Sequence, residues 1–243
     1  MQCPKCQGTQ LIKNGTIHNG KPKWKCKGCG RQFVLAPTQC RISDDTKQTI
    51  DKLLLERISL AGIVRVTGVS LRWLQYYVNA KYAAVPRSVT ITEQKKGLFL
   101  ECDELWSFVG KKRRQKWIWL AINRDTREIV GVATGARTKA TARRLWASLA
   151  AVYRQCAVCY TDFWEAYAAI LPSKRHRAVG KETGQTNHIE RFNNTVRQRC
   201  SRLVRRTLSF SKKLANHIGA IWYFVHDYNA QQRMKRGMVV VTS

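Results

Sequence analysis

Two Cys-x-x-Cys pairs, Cys3-Pro-Lys-Cys6 and Cys26-Lys-Gly-Cys29, lie 19 residues apart at the start of the chain. That spacing restricts the first segment, residues 1–40, more than any other feature restricts the rest. So short a stretch cannot bury a core of its own and needs a staple. Four thiolates on two knuckles supply a closed tetrahedral site, the pattern of a zinc ribbon holding one structural Zn²⁺, with Gly28 and Gly30 easing the second turn. The alternative is four unrelated thiols in a loop, and the paired spacing argues against it. A second pair, Cys156 and Cys159, does not carry the same reading. It lies in a strand-like run, where residues three apart face opposite sides, and buried thiols are expected there. Cys40, Cys102 and Cys200 have no partner spacing.

Lys and Arg number 44 against 15 Asp and Glu in 243 residues, a formal net charge of +29. A polyanion is the default partner of such a chain. The basic residues run the whole length, interleaved with Trp and Tyr, and no apolar run approaches the roughly 18 residues of a membrane span. Nucleic acid is therefore expected and a membrane is not. The beginning MQCPKCQ lacks the apolar stretch of an export signal, so a cytoplasmic, reducing setting is expected for the nine cysteines. The ribbon also carries Lys5, Lys13, Lys21, Lys23, Lys25, Lys27 and Arg31 with Trp24, a composition suited to phosphates.

Residues 41–82 read as a helical, DNA-binding domain. SLAGIVRVTGVSLRWLQYYVN gives a helix, a turn at Thr67-Gly68-Val69 and a second helix capped by Ser70, the outline of a helix-turn-helix. Leu71, Leu74 and Val78 share one face of the second helix. Arg72, Gln75, Tyr76 and Asn79 share another, with donors and acceptors for base edges in a major groove. A helical hairpin with a merely solvated polar face is the alternative. Residues 83–97, with Pro86 and no sustained periodicity, form a linker.

A different architecture is expected over 98–243. Strands at about 98–109, WIWLAIN and EIVGVAT precede a helix at about 139–155 and a strand AVCYTD. A short helix FWEAYAAIL, a strand at HRAVG and helices to about 233 follow. Adjacent strands followed by alternating helix and strand make a mixed α/β sheet with helices on its faces. The last helix, around IGAIWYFVHDYN, is apolar enough for core or interface.

In LFLECDELW, alternation puts Leu98, Leu100 and Cys102 on one side and Phe99, Glu101 and Asp103 on the other, with Glu104 pointing away from Asp103. Asp162 closes AVCYTD where a strand gives way to a helix, a place where capping alone can explain an acid. A helix over 186–203 buries Ile189, Phe192, Val196, Cys200 and Leu203, and lines a polar stripe with Asn187, Glu190, Asn193, Asn194 and Arg197. Two aspartates on neighbouring strands and a glutamate on a flanking helix can converge on divalent cations. Mg²⁺ prefers carboxylate oxygens, and paired ions suit phosphodiester displacement.

ECDELWSFVG, YTDFWEAY and TNHIERFNNTVRQR, after a zinc ribbon and a helix-turn-helix, resemble the bacterial transposases of the insertion sequence 1 family over essentially the full length. The resemblance implies a ribonuclease-H-like catalytic core with an acidic triad, Asp103, Asp162 and Glu190. It implies two Mg²⁺ (or Mn²⁺) ions per active site, release of a 3′-hydroxyl at the element's ends, and attack of that hydroxyl on target DNA. The N-terminal modules would bind the terminal inverted repeats, and the chain corresponds to the fused, full-length form. A basic residue two helical turns after the glutamate is common in triad transposases, usually lysine; here it is Arg197. Lys111, Lys112, Arg113, Arg114 and Lys116, with Arg197, Arg199, Arg202, Arg205 and Arg206, would hold phosphates. Joining two ends to one target implies a homodimer or higher oligomer on DNA in the bacterial nucleoid. Two alternatives differ in class: a repressor of the element, which needs the ribbon and helix-turn-helix but no triad, and a ribonuclease-H-like nuclease that does not join ends.

Overall fold

The computed structural model describes residues 1–35, 41–90, 98–203 and 209–237, in two compact units, Met1–Asp44 and Asp45–Ser243.

In the first unit, β1 (Leu11–Thr16), β2 (Pro22–Cys26) and β3 (Gln32–Val34) form an antiparallel sheet in that order. The two cysteine pairs repeat one turn. Gln7 N–H donates to the Cys3 carbonyl at 2.8 Å, and Gly30 N–H donates to the Cys26 carbonyl at 3.0 Å. Gln7 and Gly30, each four residues after the first cysteine of its pair, both adopt left-handed backbone, with φ of 59° and 70°. Only Gly30 therefore answers the expectation of a glycine-dependent knuckle, since Gly28 has no positive φ.

The second unit begins within α1 (Asp44–Leu53), from Asp45 on, and continues with α2 (Leu60–Thr67) and α3 (Leu71–Ala84). Ser59 and Ser70 cap α2 and α3, accepting from Gly62 N–H at 3.1 Å and Trp73 N–H at 3.2 Å. Gly68, φ 70°, ends α2 with its N–H on the Val64 carbonyl. Leu74 and Val78 are buried as the period requires, but Leu71, expected beside them, is exposed, and Tyr82 completes the buried face instead. That face lies on the long α8 (Leu214–Lys235), which packs closely against α3. A Cβ at Gly219 would meet the Tyr82 Cβ at 2.4 Å and its carbonyl at 2.8 Å. The helical segment expected as a separate domain over 41–82 is therefore packed into the same unit as the sheet. Part of the expected linker joins it, as Val85 and Val89 rest on the core; residues 91–97 lie outside the described residues.

The main sheet comprises β4 (Phe99–Phe108), β5 (Gln115–Asn123), β6 (Ile129–Gly135), β7 (Val158–Thr161) and β8 (His176–Ala178), in the order β6-β5-β4-β7-β8. The β4–β5 and β5–β6 pairs are antiparallel, while β7 is parallel to both β4 and β8. The expected helix at 139–155 is two: α4 (Lys139–Ser148) and α5 (Ala151–Cys156). Leu149 and Ala150 between them are extended, and buried Leu149 packs into the core beside Gly131. Cys156 ends α5 exposed, correcting its expected burial, whereas Cys159 is buried on β7.

Alternation along β4 sends side chains to two cores. Leu100 and Cys102 join Leu145, Tyr153 and Tyr167 on the face covered by α4, α5 and the short α6 (Glu165–Ala168). Leu105 joins Phe192, Val196, Trp222 and Phe224 on the opposite face, under α7 (Asn187–Arg199) and α8. The last helix is thus core within this unit. The α7 helix stops at Arg199 rather than 203, with Cys200 extended, yet Cys200 and Leu203 stay buried as the stripe requires.

Candidate active site and metal centre

The four ribbon cysteines form one cluster, with all four sulfurs within 4.8 Å of one another. Cys3 and Cys29 sulfurs are 3.5 Å apart, and those of Cys6 and Cys26 are 3.6 Å apart. A tetrahedral ion with Zn–S bonds of about 2.3 Å requires sulfur separations of about 3.8 Å, so the cluster fits such an ion. Free thiols so close repel as thiolates, which a cation relieves.

The acids of the second unit are arranged differently. Asp103 on β4, Asp162 just after β7 and Glu190 on α7 line one cleft of about 260 Å³ with Thr186, Asn193, Asn194 and Arg197. Their oxygens do not close as the sulfurs do: among the described residues, the cysteine cluster is the single group of three or more ligands within 4.8 Å. Each acid has its own support. Asn193 amide nitrogen donates to Asp103 Oδ2 at 2.7 Å, and the Glu104 N–H donates to Oδ1 at 2.8 Å. Trp164 N–H donates to Asp162 Oδ1 at 3.1 Å, a turn ahead of α6 rather than an N-cap, since Trp164 is the capping position and has no side-chain cap bond. Thr186 hydroxyl donates to Glu190 Oε1 at 3.0 Å. Asn193 Oδ1 is buried without a hydrogen-bond partner, an open acceptor at this polar cleft.

Burial pushes the Asp103 carboxyl up to about 6, and the neighbouring Glu104 and Asp162 charges push the same way against the Glu104 N–H and Asn193 amide. Glu104, on the other face of β4, is also raised by burial. It is engaged there by Arg137 at 2.6 Å and the Tyr167 hydroxyl at 2.9 Å, so the opposite directions of the adjacent acids hold even though both border the cleft.

Glu101 is the residue whose role sequence reasoning missed. It is fully buried, and its Oε2 accepts the His188 and Ile189 N–H groups at 2.8 and 3.0 Å. A carboxylate on the first turn of α7 satisfies orphan donors and the positive end of the helix dipole, with Arg124 3.6 Å away. Glu101 thereby fixes α7, and Glu190 with it, to the strand that carries Asp103. The period-2 alternation that put Glu101 on the Asp103 face was the available signal. Lys181, at the cleft rim, was also not singled out.

Other expected contacts lie elsewhere. Lys111, Lys112, Arg113 and Arg114 are exposed on the β4–β5 hairpin, and Lys116 follows on β5. Asp103 is five residues before the end of β4, about 17 Å of strand, so the hairpin does not line the acidic cleft. On α3, Arg72 stacks over exposed Tyr76 at 6.0 Å, while Gln75 and Asn79 turn toward α8. Asn79 accepts from the Asn216 amide at 2.7 Å, so the four polar residues are not one free face. Arg199 faces away from the cleft and pairs with Glu56 at 2.8 Å, and Arg202 lies beside Tyr82. Arg205 and Arg206 lie outside the described residues.

A family model described as IS1 transposase matches residues 98–231, the stretch that holds all three acids and the sheet. The chain belongs to the IS1 transposase family. Insertion element iso-IS1n protein InsB of Shigella dysenteriae is 37% identical over 131 residues, 54% of this chain and 96% of that protein. Insertion element IS1 protein InsB of Shigella flexneri is 39% identical over 126 residues, covering 52% and 92%. Insertion element IS1 4 protein InsB of Escherichia coli K12 is 34% identical over 158 residues, covering 64% and 92%. Membership carries a role in transposition and, with it, binding to DNA. Among the described residues, no helix is long and apolar enough to cross a membrane.

Proposed function

We propose that this IS1-family chain cuts the ends of an insertion element and joins them to target DNA, with Asp103, Asp162 and Glu190 as the ligands of two Mg²⁺ or Mn²⁺ ions. The observation that carries this reading is the convergence of acids from β4, the end of β7 and α7 on one cleft. Such ions, when bound, polarise a phosphodiester and lower the pKa of the attacking oxygen. The open Asn193 acceptor and the burial of Asp103 both favour a cation there. Asn193 orients Asp103, Thr186 orients Glu190, and Glu101 holds the helix that joins them. Lys181, Asn194 and Arg197 line the same cleft and would bind the phosphates flanking the scissile bond.

The order β6-β5-β4-β7-β8, three antiparallel strands followed by two parallel ones, supports a ribonuclease-H-like assignment for this sheet. The sulfur separations support one structural Zn²⁺ in the ribbon. The two capped helices around Gly68 support a helix-turn-helix that, with the ribbon, binds the terminal inverted repeats. Its reading residues would be Arg72 and Tyr76 first, since Asn79 is held by Asn216. Two such chains would act together on DNA in the bacterial cytoplasm.

The test incubates the protein with labelled end DNA and a target plasmid in Mg²⁺, beside Asp103→Asn and Glu190→Gln. Wild type should cut and join, and both variants should bind the ends but do neither. Binding without cutting by wild type would favour the repressor reading, cutting without joining would favour the plain nuclease, and full activity in both variants would overturn the assignment of Asp103 and Glu190.

A further inference from the structure

On α7, Glu190, Asn193, Asn194 and Arg197 face the acidic cleft, but a second polar stripe runs along another flank. His188, Arg191, Thr195 and Arg199 follow one another at helical spacing, and Arg191 is turned about 100° from Glu190. This stripe faces Tyr228, Gln232 and Lys235 of α8 and Arg127 of the β5–β6 turn, across a groove of about 450 Å³.

The nearby acids are engaged. Glu56 takes Arg199, Glu128 takes Arg233 at 2.7 Å and Arg236, Asp227 holds Gln231 at 2.6 Å, and Glu101 is turned to the start of α7. Among the described residues, Arg127, Arg191 and Lys235 make no ion pair with a carboxylate. Arg127 also sits in left-handed backbone, φ 60°, where a non-glycine residue costs about 1–2 kcal/mol. Asn or Gly would make that turn more cheaply, so the backbone does not require an arginine there. Arg199 has Glu56 and His188 lies 3.8 Å from Glu101, but Arg127, Arg191 and Lys235 share the groove without a carboxylate partner of their own among the described residues, and an anion relieves the repulsion among them.

We infer that this groove binds the phosphate backbone of duplex DNA, as a track separate from the acidic cleft. The stripe from His188 to Arg199 covers about 16 Å of helix, too long for one phosphate and equal to roughly five nucleotide rises of 3.4 Å. A net charge of +29 on each chain favours a polyanion over a second copy as the occupant. The inference needs the chain to bind DNA but does not need the acids to be catalytic. It would let one helix hold a second stretch of backbone while its other flank lines the cleft.

The test is binding of a short duplex of arbitrary sequence to the full chain in buffer free of Mg²⁺, Mn²⁺ and chelator, so that the cysteine cluster keeps its ion, followed by fluorescence anisotropy across a salt series. The triple variant Arg127→Gln, Arg191→Gln, Lys235→Gln is compared with a control of equal charge loss, Arg143→Gln, Arg154→Gln, Lys174→Gln, all exposed and outside the groove. Each phosphate contact contributes about 0.9 to the slope of log K against log salt. The groove variant should therefore lose two to three units of slope and roughly 100-fold in affinity at 0.1 M salt, well beyond the control. The charge-conserving pair Arg191→Lys and Lys235→Arg should keep near wild-type binding. Loss no greater than the control overturns the inference, as does a charge-conserving pair that folds but fails to bind. Weakened binding of polyglutamate with unchanged duplex binding would assign the groove to an acidic protein instead. Because no Mg²⁺ or Mn²⁺ is present and Asp103→Asn should give the same salt slope as wild type, failure of the catalytic reading leaves this result unaffected.

Discussion

The cysteine cluster and the acidic cleft are both ligand sets, and they are built on opposite plans. In the ribbon, two copies of one local turn bring four sulfurs within 4.8 Å, and little else in the unit holds them. In the cleft, three acids come from a strand, a loop and a helix, and each is hydrogen-bonded to its own neighbour rather than to a shared point. A closed sulfur cage suits an ion that holds a fold together. An open set of acids on a polar cleft suits ions that must also admit a phosphate. The first site stands in for a core, while the second is carried by one.

The largest effect should come from breaking the cage. Cys26→Ser removes one of four sulfurs, and apparent zinc binding of about 10–16 kcal/mol is folding energy in such modules. Amide exchange should show residues 1–35 losing protection while the second unit keeps its melting temperature, because the two units are compact separately. Equal loss of protection in the sheet would break the comparison.

Next in size is Glu190→Gln or Asp103→Asn in the cleft. End cleavage should fall by at least about 100-fold, the loss typical of disturbing a metal site, with a melting temperature at or above that of wild type without metal. Removal of the buried Asp103 charge relieves a desolvation cost, so this unit should not be weakened as the ribbon is.

A smaller effect, on stability as well as rate, is expected for Glu101→Ala. It strips the acceptor from the His188 and Ile189 N–H groups and should cost about 2–3 kcal/mol in urea unfolding. Glu101→Gln keeps an acceptor oxygen and should lose less. Asn193→Ala should lower cleavage by about 10–100-fold with little stability change, showing that orientation of Asp103 matters beyond its presence.

At neutral pH the smallest expected effect is that of His217, a pH dependence of the second unit that appears only on acidification. His217 is buried, with Ser107 Oγ 3.2 Å from its Nε2, and burial pulls it down to about 4, helped by Arg202 and Lys116. The unfolded chain binds this proton near 6.5 and the folded chain does not, so stability is present above 6.5 and falls as pH drops toward 4. The loss should reach up to about 3 kcal/mol, and the difference between wild type and His217→Gln in urea unfolding measures it.

Much of this was legible because it is local. The cysteine spacing, the Ser70 cap, the Gly68 turn and the alternation of Leu100 and Cys102 against Glu101 and Asp103 each follow from a few neighbouring residues. The stripe on α7 was legible too, with Glu190, Asn193, Asn194 and Arg197 on one side and Ile189, Phe192 and Val196 on the other. What failed depended on distant partners. Leu71 belongs to the apolar face by period, but α8 covers Leu74, Val78 and Tyr82 instead. The helix at 139–155 breaks because Leu149 is drawn into a core beside Gly131, a contact no local propensity encodes. Glu101 looked like an ordinary strand acid until the start of α7, some 87 residues later, arrived on it.

The sequence by itself determined a basic polyanion-binding chain, four ligand sulfurs, the strands and helices, and which acids face one way. These follow from charge count, spacing and period, which need no knowledge of what lies across the sheet. Only the tertiary structure decided that Asp103, Asp162 and Glu190 border one cleft, that the helical segment packs on α8, and that Arg127, Arg191 and Lys235 share a groove. Side chains separated by tens of residues meet only when two cores pack on the two faces of one sheet, and that packing fixes which charges end up near one another.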